Sequence, residues 1–80
     1  MTEQIHTPNQ RIGARLKLTR TKLGVSLLGL CDALGDECSC QELEDYESGR
    51  VGIPAERLAR CATLLEVPIE VLLHDGQVID

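Results

Sequence analysis

SLLGLCDALGDECSCQELEDYESGR, residues 26–50, is the stretch whose reading decides the fold. Ser26 offers a side-chain cap to a segment in which Leu30, Ala33 and Leu34 recur at helical spacing until Gly35 stops it. Asp36, Glu37 and Cys38 read as a turn, Ser39 caps a second helix over Cys40 to Ser48, and Gly49 ends it. Two short helices joined by a turn are therefore expected at the centre of the chain.

The flanks extend the same pattern. Upstream, Asn9 is a capping residue, and Ile12, Leu16 and Leu23 fall on helical spacing with Arg11, Arg15, Lys17, Arg20 and Lys22 between them, up to Gly24. Downstream, Ile53 and Pro54 read as a helix entry, with proline at the first helical position, where its missing N–H has no partner to lose. Leu58, Cys61, Ala62 and Leu65 then repeat at i, i+3, i+4 and i+7. Pro68 opens a last short helix carrying Ile69, Leu72 and Leu73, which Asp75 and Gly76 close. The expectation is an all-α, compact five-helix bundle over residues 9–74, with a disordered arm at 1–8 and a tail at 75–80.

Composition agrees with helices. Tyr46 is the only aromatic apart from His6 and His74, so the core is left to aliphatics and thiols, whereas strands favour aromatic and β-branched residues. The 80 residues suffice for one domain, which buries only about 60–65% of its unfolded surface. No run approaches the ~20 apolar residues of a membrane span. MTEQIHTPNQ, residues 1–10, lacks the apolar centre of a signal peptide. A soluble, cytoplasmic chain without a membrane partner is expected.

IGARLKLTRTKLGVS (12–26), LCDALG (30–35), LEDYESGR (43–50) and LARCATLLEVPIEVLL (58–73) together resemble the Xre/Cro/CI-type helix-turn-helix regulators, the lambda-repressor-like DNA-binding domains. The resemblance covers about Gln10 to Leu73, and it is the order of the landmarks, not any one of them, that makes it specific. It implies that helices 2 and 3 form the helix-turn-helix, with helix 2 across the phosphate backbone and helix 3 as the recognition helix in the major groove. It further implies an ion pair of Arg20 with Glu47. Duplex DNA is the implied partner, bound either by a homodimer on half-sites one helical turn, ~34 Å, apart or beside a more basic partner.

The chain departs from that pattern where DNA would be read. Helix 3 presents Cys40, Gln41, Glu42, Glu44 and Asp45 and contains no lysine or arginine, although phosphate contacts by cations supply much of DNA affinity. Gln41 suits adenine, and a carboxylate can accept from the cytosine amino group. Ser26, Leu27, Leu28, Ser48 and Arg50 are the candidate contacts to the phosphate backbone or to a partner. Leu27 and Leu28 follow the Ser26 cap where the family commonly has polar residues, and Leu18 sits at a usually polar position. An exposed leucine cluster beside an acidic ridge fits a second reading, a co-regulator or anti-repressor that docks a protein through helices 2 and 3.

Four cysteines in a chain without secretory signals read as reduced thiols. Cys31, Cys38 and Cys61 fall at core positions and Cys40 at a more exposed one, with Cys38 and Cys40 the candidates for redox sensing. Neither metal-ligand spacing nor a catalytic constellation is present, so no cofactor, metal site or enzymatic activity is expected. The net charge of −5 runs against the basic balance usual in nucleic-acid-binding domains.

Overall fold

The computed structural model describes residues 7–73, and the expectations for residues 1–6 and 74–80, including the closing Asp75 and Gly76, lie outside them. The elements are α1 (Pro8–Lys22), α2 (Leu27–Leu34), a 3-10 turn (Gly35–Glu37), α3 (Cys40–Ser48), α4 (Ala55–Leu65) and α5 (Ile69–Leu73). Among the described residues there is no strand, and no helix is long and apolar enough to cross a membrane.

The start of α1 corrects the Asn9 cap. Thr7 Oγ1 accepts from the Gln10 N–H at 3.1 Å while Gln10 Oε1 accepts from the Thr7 N–H at 2.9 Å, a reciprocal capping box with Pro8 in the first turn. Thr7 and Pro8 therefore belong to the folded unit rather than to an arm. Proline is also placed differently at α4, because Pro54 has an extended ψ of 147° and is the cap residue, leaving Ala55 as the first helical one. Its carbonyl accepts from Arg57 and Leu58.

The helices bury most of the residues that the spacing selects, but Leu23, Ala33 and Leu73, at helix ends or on the outer face of α2, are exposed. Leu16, Leu30, Leu34, Leu43, Leu58, Cys61, Leu65 and Leu72 are buried together, with Ile12, Val25, Ile53 and Ile69 packed around them. Each such side chain removed from water contributes about 1.5–3 kcal/mol. α1 packs on α3 and α5, α2 on α3 and α4, and α4 on α5. In consequence α3 is enclosed by two helices and turns its remaining face outward.

Candidate nucleic-acid interface

The helix-turn-helix is capped residue by residue. Ser26 Oγ accepts from the Gly29 N–H at 2.9 Å. Gly35 ends α2 with a φ of 62°, a left-handed value that glycine takes without a Cβ penalty. Between the two helices Gly35–Glu37 form the 3-10 turn, and buried Cys38 plugs it into the core. Ser39 Oγ accepts from Glu42 N at 3.0 Å, and Glu42 Oε1 accepts from Ser39 N at 2.9 Å. The Glu42 carboxylate is thus committed to the amino end of α3, where the helix dipole favours a negative charge.

On α3, Leu43, Tyr46 and Glu47 are buried, Gln41, Glu42, Glu44 and Ser48 are exposed, and Cys40 and Asp45 are half-buried. Two of the α2 and α3 leucine expectations separate here. Leu28 is 63% exposed, whereas Leu27 is half-buried and packs against the core, because the first turn of α2 leans on it. Leu18, 43% exposed, is on α1 and accompanies Leu23 rather than the acidic ridge.

Arg20 braces the unit. Its Nε donates to Glu47 Oε2 at 2.7 Å, Nη2 to Oε1 at 2.9 Å, and Nη1 to the Val25 carbonyl at 2.9 Å. Both side chains are at most 7% exposed. The hydrogen bonds it donates to Glu47 push the Arg20 guanidinium above its ordinary value, against the opposing effect of burial. The brace is possible because the two backbones nearly touch. A Cβ on Gly13 of α1 would overlap the carbonyl oxygens of Tyr46 and Glu47, and one on Gly49 would lie 2.5 Å from Gln10 Cα.

The cations near α3 are largely engaged within the molecule. Arg50 Nη1 donates to Asp45 Oδ1 at 2.8 Å, and Gln41 Nε2 donates to the same oxygen at 3.1 Å. Arg57 Nη1 donates to the Tyr46 hydroxyl at 3.0 Å, and Arg60 lies 3.5 Å from Glu37. The Ser48 hydroxyl donates to the Asp45 carbonyl and accepts from Arg50 N. Only Arg50 among these combines adjacency to α3 with a side chain 69% exposed.

The cysteines correct the expectation of four reduced thiols. Cys31 of α2 and Cys40, the first residue of α3, form a disulfide with their Cα atoms 5.3 Å apart, inside the ~4.4–6.8 Å that a bridge requires. The long turn folds α3 back so that its first residue faces the middle of α2. Cys40 is therefore no free thiol on α3. Cys38 and Cys61 are free and buried. Burial pushes the Cys38 thiol up, and that of Cys61 to about 11, the opposite of the shift that favours a reactive thiolate. Among the described residues no group of three or more His, Cys, Asp or Glu is placed to hold a metal.

An all-helical bundle that displays the outer face of a capped α3, itself braced from α1, is a helix-turn-helix domain of the Xre-like regulator type. The chain belongs to that family: residues 11–74 match the model of the helix-turn-helix domain. It is 33% identical over 79 residues, 95% of its length, to an uncharacterized HTH-type transcriptional regulator of Sinorhizobium medicae and to one of Rhizobium meliloti. It covers 55% of each, so the chain spans about half the length of these relatives. A transcriptional regulator in the ATPase CF(0) region of Rhodospirillum rubrum is 35% identical over 74 residues, 92% of this chain and 67% of that one. Among solved structures, the DNA-binding domain of BldD matches with a TM-score of 0.74 and 30% identity, over 84% of this chain and 94% of that one. The S. venezulae BldD DNA-binding domain matches with 0.73 and 30%, over 84% and 97%.

Proposed function

We propose that this chain binds duplex DNA through α3 and acts as a transcriptional regulator, a binding module without catalysis. The observation that carries the reading is the match of the whole bundle, with its outward α3, to two DNA-binding domains at 30% identity. Gln41 is the base reader, suited to adenine, and Glu44 accepts from the amino group of cytosine. Backbone N–H groups at Ser26, Leu27 and Leu28 and the Arg50 side chain meet phosphates, which need no side-chain cation from α3. Two copies on half-sites about 34 Å apart would double a contact set that is poor in charge.

The acidic ridge makes the test. Binding selected from a random duplex library, then followed across a salt series, is expected to show sequence preference with a shallow salt slope. Asp45→Lys removes a carboxylate, releases Arg50 and adds a cation, and is expected to steepen the log–log slope by about one to two units while tightening the complex. Gln41→Ala is expected to weaken binding about 5- to 150-fold and relax preference at one base. A wild-type protein that enriches no sequence, and an Asp45→Lys variant that gains nothing, overturn the reading.

A second reading is favoured by the exposure of Leu28 on α2 and of Glu42 and Glu44 on α3: a co-regulator that docks a protein through α2 and α3. It requires Leu28→Asp to abolish association. Submicromolar binding to a selected duplex at physiological salt, unchanged by Leu28→Asp, sinks it.

A further inference from the structure

We propose that the groove between α1 and the α4–α5 corner is a docking site for an acidic, apolar peptide segment of a partner protein. The groove is an open cavity of about 240 Å³ lined by Leu18, Leu23, Val67 and Val71, with Arg15 and Lys22 among its other walls. Leu18 and Leu23 are 43% and 51% exposed there, outside the core that the five helices share. Pockets for drug-sized molecules begin at about 300 Å³, so this volume suits a side chain or two from a larger partner. Anchoring of that kind is how an amphipathic segment seats in a helix groove.

Charge selects the partner. Of the lysines and arginines on α1, Arg15 and Lys22 line the groove, whereas Arg20 is buried against Glu47, and α1 has no Asp or Glu of its own. The rest of the molecule is strongly acidic, so a cationic wall around apolar side chains is a local departure from the net charge of −5. Arg15 Nε donates to the Val71 carbonyl at 2.8 Å, which fixes the guanidinium at the groove and leaves its two terminal nitrogens for a carboxylate. Lys22 has no carboxylate within salt-bridge distance among the described residues. Glu66 and Glu70, the exposed carboxylates of the α4–α5 corner, do not line the cavity.

Position makes the site independent of the helix-turn-helix. At 100° per residue, Lys22 lies about 180° round α1 from Gly13, the point of contact with α3. A segment seated in the groove therefore leaves the outer face of α3 uncovered.

The test is a selection of random 15-residue peptides displayed on phage against the whole chain, with Leu18→Asp and Lys22→Glu variants as counter-targets. Leu18 and Lys22 are exposed, and circular dichroism checks that both variants fold. Enriched peptides are expected to pair leucine, isoleucine or phenylalanine at helical spacing with Asp and Glu. They are expected to lose at least tenfold in affinity on either variant and to shift backbone resonances of Leu18, Leu23, Val67 and Val71. Enrichment of basic or uncharged peptides, or none at all, overturns the proposal, as does binding unchanged in Lys22→Glu. Retention of the chain on anionic phosphatidylglycerol vesicles, lost in the same variants, would assign the groove to a lipid surface and equally overturn it.

Discussion

α3 is held from two sides, by α1 and by α2, and the two contacts have little chemistry in common. Against α1 the grip is steric and ionic: Gly13 and Gly49 let the backbones close in, and Arg20 reaches across to buried Glu47. Against α2 it is covalent, Cys31 to Cys40, at the first residue of the helix. One side fixes the carboxyl-terminal half of α3 by fit and the other fixes its amino end by a bond. The aim of α3 therefore rests on two supports that fail under different conditions, the first to truncation of a side chain and the second to a reductant.

Removing the α1 support is expected to cost most. Arg20→Ala leaves Glu47 as an uncompensated buried carboxylate, and breaking a buried pair in this way costs about 3–5 kcal/mol. Lys17→Ala, on the same helix but exposed, is expected to stay within about 0.5 kcal/mol. Urea denaturation of both variants checks the contrast, and equal losses would break it.

The α2 support is expected to be smaller and conditional. A bridge across a sequence separation of 9 contributes about 2–3 kcal/mol in the chain-entropy account. Cys40→Ser is expected to lose that amount under non-reducing conditions, whereas with dithiothreitol present the wild type and the variant should melt together. A gap that persists in reductant would mean that Cys40 acts by packing and not by its bond.

The smallest effect is expected at the exposed Arg50–Asp45 pair, which neither support includes. Arg50→Ala should change stability by no more than about 1 kcal/mol, and less at high salt, since exposed pairs of this kind are weak and screened. A larger, salt-independent loss would make the turn after α3 a third support.

Most of the bundle was legible because caps and spacing are local. Ser26, Ser39, Gly35 and Gly49 bound α2 and α3 where the sequence places them, and the spacing of Leu43 and Tyr46 turns both inward. The Thr7 cap was legible too, since Thr7 and Gln10 form the T-x-x-Q signature, but Asn9 is an equally good capping residue in isolation. The disulfide had no such local sign. Its partners are separated by a turn whose path only the packed helices determine, and the expectation of a cytoplasmic chain argued for thiols. Leu27 misled for a related reason: a leucine in the first turn of a helix faces the core or the solvent according to how the helix is tilted, which spacing alone does not give. The Asp45 contacts to Arg50 and Gln41 were hidden because they join the helix to residues beyond its end and to its own preceding turn.

A helix clamped at both ends has little freedom to adapt its angle or its register. Whatever meets α3 must therefore do the conforming. If that partner is a duplex, the elastic energy of the encounter is stored in the DNA, and part of the discrimination falls on how easily a site bends or changes groove width at base pairs that no side chain touches. Flexible pyrimidine–purine steps flanking the contacted bases would then distinguish good sites from poor ones as firmly as the bases under Gln41.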